Sequence, residues 1–171
     1  MRPDSTTLTP ESDIAAFRSA MGCFPTGVAL LSRGSGAGAS VVTVNSLTSV
    51  SLDPLLLLVC LKSDSRMVRR VSEAGSFAVN VLDETQRDLS ALFARPDRPS
   101  GESAMRLLDA VEGATGNAVL PSAAAFFECR LYAEHAGGDH VVFLGRVVAM
   151  HRSTPDRRPL LFHHGRYAAL A

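Results

Sequence analysis

Tryptophan is absent from the 171-residue chain, cysteine occurs three times, and seventeen Lys+Arg balance seventeen Asp+Glu. That balance leaves no broad basic field to recruit nucleic acid or a membrane surface, although a single phosphate needs only a few local donors. Cys23, Cys60 and Cys129 stand far apart in apolar settings and form no CxxC. This argues against a disulfide framework or structural zinc and in favour of buried, reduced thiols. No apolar run approaches the roughly twenty residues of a membrane span, and "MRPDSTTLTPESD" lacks the apolar centre of a signal peptide. A cytoplasmic location is expected, with neither nucleic acid nor membrane as partner.

Hydrolytic machinery is missing as well. There is no GxSxG elbow, and paired carboxylates do not stand out. The histidines are His135, His140, His151, His163 and His164, none of them spaced as HxxxH or HExxH. The adjacent His163 and His164 are expected on opposite sides of a strand, so a metal site is not expected.

What is present reads as one domain with ordinary hydrophobic and charged fractions, 46% and 20%. Residues 1–10 are polar and expected to be flexible, with the domain spanning residues 11–171. Ile14, Phe17, Met21 and Phe24 are spaced as one helical face, with Ser12 or Asp13 as caps. "GVALLS" reads as a strand and "RGSGAGA" as a hairpin connection. That glycine cluster is followed by a β-branched run rather than a helix, so it does not meet the requirement of a dinucleotide fingerprint. "SRMVRRVSEAG" predicts a helix stopped by Gly75, and "SFAVNVL" a strand with Phe77, Val79 and Val81 on one side. "DETQRDLSALFA" predicts a helix capped by Asp83 with Leu89, Leu92 and Phe93 buried, and a short helix is expected near residues 103–111. "AFFECRLYAEH" and "HVVFLGRVVAMH" form a long hairpin about "AGGD", and a smaller one turns near Gly165. About seven strands with three or four irregularly placed helices point to a mainly β (α+β) fold, a closed or partly closed antiparallel barrel with helical insertions.

The chemistry left to such a chain is binding. Residues 40–65 hold a cluster of hydroxyls and an amide from Thr43 to Ser51. A leucine-rich run from residue 55 to 61 follows, read as a strand buried on both faces, and then Ser63 and Ser65. Small polar residues let a backbone approach a planar heteroaromatic ring, but the cluster fits a polar edge strand equally well. Ser63, Asp64 and Ser65 open a predicted helix beside Lys62, Arg66, Arg69 and Arg70. That position receives a phosphate, or simply a helix cap with solvated arginines. "GGDH" at residues 137–140 is an ordinary turn, with His140 free to meet a second planar ligand.

Six segments, in this order, resemble the flavin reductase family whose small reductases serve two-component flavin-dependent monooxygenases. They are "FRSAMGCFPTGVALLS", "TVNSLTSVSLDP", "LLLLVCLKSDSR", "FAVNVLDETQRDLSALFA", "GGDHVVFLGRV" and "RPLLFHHGRY". The resemblance implies an FMN-binding split β-barrel with helical insertions, a homodimer, and oxidation of NADH, less often NADPH, by FMN or FAD. It also implies a separate monooxygenase that receives the reduced flavin. By the same resemblance, Ala39, Ser40, Val41, Val42, Thr43, Asn45 and Ser46 line the flavin ring and ribityl chain. Cys60, Leu61, Lys62, Ser65 and Arg66 reach the ribityl and phosphate end, and Phe93 the flavin tail. Gly138, Asp139 and His140, with Gly165, Arg166 and Tyr167, are expected on the nicotinamide side, His140 positioning that ring. Met67 stands where relatives often carry a hydroxyl, and residues 94–103 depart from the usual pattern of that loop. The alternative is a flavin-binding or pyridoxamine-phosphate-oxidase-like barrel without free-flavin reductase activity.

Overall fold

The computed structural model describes residues 13–153, 155 and 157–170. The segment expected to be flexible at residues 1–10, and the candidate cap Ser12, lie outside the described residues. The described residues begin with α1 (Asp13–Gly22), β1 (Thr26–Gly27), β2 (Ala29–Arg33), β3 (Ser40–Val44), β4 (Thr48–Leu52) and β5 (Leu55–Lys62). The chain continues through α2 (Arg66–Ala74), β6 (Ser76–Val81), α3 (Arg87–Phe93), α4 (Gly101–Leu108), β7 (Val111–Glu112) and β8 (Ala118–Val119). The last elements are β9 (Ala125–Gly137), β10 (His140–Arg152), β11 (Leu161–His163) and β12 (Arg166–Ala168).

Seven strands form one antiparallel sheet in the order β3-β2-β6-β9-β10-β5-β4. The strands buried on both faces are the neighbours β2 and β6, toward the middle of the sheet. β5 was expected in that role and does not fill it. Leu57, Val59 and Leu61 point into the core, whereas Leu56, Leu58 and Cys60 stay half-exposed on the other face. The reason is position: β5 is next to last in the sheet, and among the described residues no element buries its outer face.

The sheet curls so that its two ends meet. Pairing of β4 with β5 begins at Thr48 opposite Leu58, and beyond it Ser46 takes over the edge of β5 with its side chain. The Ser46 hydroxyl accepts from the Cys60 amide at 2.8 Å and donates to the Cys60 carbonyl at 3.1 Å. A side-chain stitch in place of a continuous ladder makes this a split barrel.

Two apolar clusters flank the curled sheet. Inside, Leu31, Val59, Phe77, Val79 and Phe143 pack with Met67 and Val71 of α2. Ser65 caps α2 by accepting from the Met67 amide at 3.2 Å, and Gly75 ends it with φ of 63°, a left-handed value that glycine tolerates. On the other face Val28, Leu30, Val41 and Leu82 pack with Phe93 of α3 and with Ala104 and Leu108 of α4. Gly145 is required by close approach, because a Cβ there would lie 2.5 Å from Phe77 Cζ and 2.8 Å from Cys129 Cβ.

Two further expectations change. The apolar face of α1 exists but buries nothing: Ile14, Phe17, Met21 and Phe24 are all at least half exposed. His163 and His164 do not point to opposite sides. His164 sits in the turn with φ of 47°, which brings the two rings to 4.2 Å between centroids.

Candidate functional site

A cleft of about 630 Å³ opens where the seam between β3 and β5 meets the start of α2. Its floor is Val42, Thr43 and Val44 of β3, continuing through Asn45 and Ser46. Cys60, Leu61 and Lys62 of β5 form one wall, and Asp64, Ser65 and Arg66 form the corner into α2. Ala94, Pro96 and Arg98, from the loop after α3, form the opposite wall, and His140 closes the rim. A volume of this size suits a small organic ligand held mostly by apolar contact with a few placed polar groups.

Register explains much of this assembly. His140 begins β10 directly opposite Lys62, the last residue of β5. The Ser63 amide and hydroxyl both donate to the Asp139 carbonyl at 3.0 Å, which ties the tight β9–β10 turn to the corner before α2. The Asp139 carboxylate lies 2.8 Å from His140 Nδ1. That contact and the imidazole charge hold the Asp139 carboxyl below its ordinary value.

The cleft has an anion-receptive end. Arg66 and Arg98 both line it, and among the described residues neither pairs with a carboxylate. Arg98 is fixed by donating from Nε to the Val41 carbonyl at 2.9 Å and from Nη1 to the Arg95 carbonyl at 3.1 Å. Burial, and then repulsion from Arg66, lower its affinity for a proton below the ordinary arginine value. Two uncompensated guanidiniums facing one space favour a phosphate between them, and the N-terminus of α2 adds its dipole. Asn45 lies exposed on the cleft with its amide free for the polar edge of a ligand. Burial raises the Cys60 thiol above its usual range, so it remains a neutral thiol at neutral pH. Among the described residues no cluster of His, Cys, Asp or Glu is placed to hold a metal ion.

Of the residues that the resemblance assigns to the cofactors, ten line this one cleft: Val42, Thr43, Asn45, Ser46, Cys60, Leu61, Lys62, Ser65, Arg66 and His140. Ala39, Ser40 and Val41 do not. They border a smaller well of about 150 Å³ that shares Arg66 and Arg98 with the cleft, and the Ala39 and Val41 side chains are core. Phe93 is fully buried against α4, and its neighbour Ala94 lines the cleft instead. Gly138 and Asp139 form the turn that carries His140 rather than a wall. Tyr167 borders a separate pocket of about 210 Å³ with Thr43, Asn45 and Ala94. It is held there by a 2.9 Å hydrogen bond between its hydroxyl and that of Ser90, with Arg87 over its ring. Arg166 and Gly165 line neither space. The hydroxyls of Thr48, Ser49 and Ser51 belong to the edge strand β4, away from the cleft. Arg98 and Pro96 were not foreseen. Their loop reads as solvated charge, and the contacts with the Val41 and Arg95 carbonyls hold Arg98 inward.

Comparison with known proteins gives a consistent picture. The sequence model described as flavin reductase like domain matches residues 21–171. An NADH-dependent FMN reductase of Streptomyces nodosus subsp. asukaensis is 50% identical over 154 residues, covering 90% of this chain and 83% of that one. BorF, the flavin reductase component of a bacterial two-component tryptophan halogenase, superposes with a TM-score of 0.86 at 36% identity, covering 92% of this chain and 98% of BorF. The NADH:FAD oxidoreductase of Streptomyces globisporus, in complex with NAD and FAD fragments, gives a TM-score of 0.86 at 35% identity, covering 97% and 98%.

Proposed function

We propose, from the premise that the chain belongs to the flavin reductase family, that the cleft between β3, β5 and α2 is where its reaction takes place. The chain is an oxidoreductase, an NADH-dependent flavin reductase that works on FMN or FAD and supplies reduced flavin to a separate monooxygenase. Hydride transfer from nicotinamide to isoalloxazine is the chemistry that the two cofactors supply when bound. The protein's part is to hold them in register and keep water out. The observation that carries this reading is the pairing of a free amide at Asn45 with the uncompensated Arg66 and Arg98 in one cleft.

In this reading Val42, Thr43, Asn45 and Ser46 present backbone and short side chains to the flavin ring. Ser65, Lys62, Arg66 and Arg98 receive its phosphate. The Ser65 hydroxyl already accepts from Met67, so its own proton is free to donate. His140, held by Asp139, orients the nicotinamide. None of these steps needs a protein acid or base, in keeping with a cleft whose one thiol is neutral.

The domain extends over residues 11–171, and the working unit is a homodimer. Support comes from α1, a ten-residue helix whose apolar face is left exposed by the described residues. Helices of that length are marginal without packing, and a second copy supplies it. The exposed outer face of β5 and the apolar groove of about 280 Å³ beside Leu52 and Met150 offer the area. No helix of the described residues is long and apolar enough to cross a membrane. The free thiols Cys60 and Cys129 suit the reducing cytoplasm.

The test is NADH absorbance followed with purified protein, alone and with added FMN or FAD. Consumption that requires flavin supports the reductase. Tight flavin binding without NADH oxidation would instead mark a flavoprotein of another kind.

A further inference from the structure

Period-two alternation decides where the Thr43 side chain goes. Along β3 it shares a face with Val41, which belongs to the cluster of Leu30 and Phe93, and it pairs directly opposite Leu30 of β2. That face looks toward α3. The Thr43 hydroxyl accordingly donates to the Ser90 carbonyl at 2.7 Å. Its proton is committed to α3, so what β3 offers a ligand at this position is backbone and the rest of a short side chain.

Ser90 is the meeting point of three elements. Its backbone carbonyl accepts from Thr43 of β3 and also from the Ala94 amide, at 3.1 Å, where α3 passes into the loop. Its side chain is fully buried, and its hydroxyl lies 2.9 Å from the Tyr167 hydroxyl of β12. Tyr167 is oriented by two further contacts. Its ring stands edge-on to Phe162 at 5.6 Å between centroids, and the Arg87 guanidinium lies over it at 5.5 Å.

Thr43 and Ala94 line the cleft, on its floor and its opposite wall, whereas Tyr167 does not. All three border the side pocket of about 210 Å³. Close packing does not fill this junction, so the hydrogen bonds through Ser90 carry the connection from the C-terminal hairpin to the cleft floor.

We infer that Tyr167 is a positioning residue for the flavin ring. From outside the cleft, and through Ser90, it sets where Thr43 and Ala94 stand and so how the isoalloxazine seats against β3. The inference rests on the reading of this cleft as the flavin site and adds a residue that does not touch the flavin. It separates two functions along the cleft. Arg66 and Arg98 hold the phosphate, while the Tyr167–Ser90–Thr43 chain holds the surface under the ring.

Titrations of FMN and riboflavin, without NADH, test this in the wild type, Tyr167→Phe, Ser90→Ala and the double variant. Tyr167→Phe keeps the ring and its contacts with Phe162 and Arg87, and a urea midpoint checks that each variant folds. Losing one buried hydrogen bond should weaken FMN and riboflavin equally, by about fivefold. The absorption band of the bound flavin should shift from its wild-type position. Because the two hydroxyls act as a pair, the double variant should be no weaker than the weaker single variant. Single-turnover reduction of bound FMN by NADH should slow about tenfold, as expected for a displaced ring.

Wild-type riboflavin affinity and spectrum in Tyr167→Phe overturn the inference, even if the urea midpoint falls, since Tyr167 is then only structural. Loss of FMN affinity with riboflavin affinity intact also overturns it, moving the effect to the phosphate end. So does a double variant whose loss is the product of the two single losses. A wild type that binds flavin but does not reduce it with NADH overturns the reductase reading alone and leaves the binding comparison valid. A wild type that binds no flavin overturns both.

Discussion

The Ser46 hydroxyl serves both backbone groups of Cys60, accepting from the amide at 2.8 Å and donating to the carbonyl at 3.1 Å. It replaces the ladder that β4 no longer provides at that point and closes the barrel beside the cleft. Ser46→Ala leaves two part-buried backbone groups without that partner, at a cost of about 1–3 kcal/mol. Urea denaturation should show a lower midpoint with an unchanged slope. FMN affinity should fall with it, because Asn45 and Lys62 are then free to separate. An unaltered midpoint would mean that water replaces the hydroxyl without penalty.

Arg98 is fixed by Val41 and faces Arg66 with no carboxylate between them. If a flavin phosphate sits there, Arg98→Ala should weaken FMN binding about tenfold or more, as expected for losing a charge-assisted hydrogen bond. Riboflavin, which has no phosphate, should bind the variant as well as it binds the wild type. Arg98→Lys should recover little, because lysine cannot keep the Nε contact with Val41 while also pointing a donor into the cleft. Equal weakening of FMN and riboflavin would reduce Arg98 to a residue that shapes its loop.

Local signals in the sequence carried local structure. Ser65 and Gly75 bounded α2 as expected, since a cap needs only the residue and its immediate neighbours. The long β9–β10 hairpin was legible from alternation and from the Gly138–Asp139 turn. The leucine run was misread because leucines on both faces of β5 hide which face is buried; that depends on neighbours distant in sequence. The position of Tyr167 was also beyond the sequence. Its bond to Ser90 joins residues 77 apart and places it in a side pocket next to Thr43 rather than in the cleft. Ten of the expected site residues nevertheless converge, because the family resemblance carried tertiary information that periodicity lacks.

Asp83 links the start of the α3 region to the C-terminal segment. Its carboxylate accepts from the Thr85 amide at 2.9 Å and from Arg157 at 2.8 Å, and Gln86 returns a contact to the Asp83 amide at 3.1 Å. Burial alone would raise this carboxyl, but the hydrogen bonds from Thr85 and Arg157 outweigh it and leave the group below its ordinary value. A carboxyl depressed in the folded state contributes stability that is fully present above the unfolded value, about 3.9, and lost as pH falls through the folded one. Asp83→Asn should therefore be less stable than wild type at pH 7, by about 1–2 kcal/mol for the weakened cap and lost ion pair. The gap should narrow below pH 4. Parallel stability curves for the two proteins down to pH 2 would show that Asp83 is not the linked group.

The Asp139–His140 contact bears on the NADH step. The carboxylate, 2.8 Å from Nδ1, fixes the imidazole at the cleft rim, and the Ser63 contacts to the Asp139 carbonyl hold the turn independently of the carboxylate. Removing the ring should leave the flavin end intact. His140→Ala is expected to lower kcat/KM for NADH about tenfold or more, with FMN affinity within twofold of wild type. Asp139→Asn should have a smaller effect in the same direction, since the turn keeps its backbone anchor while the ring loses a charged partner. The carboxyl also reports directly: in His140→Ala the Asp139 titration should move up toward the ordinary carboxylate range, because the imidazole is what lowers it most. Carbon-detected NMR of the side-chain carboxyl reads that shift without turnover. If the titration moves while NADH kinetics stay at wild-type values, the contact is real but His140 does not position the nicotinamide. The orienting group must then be sought among the remaining residues of the rim.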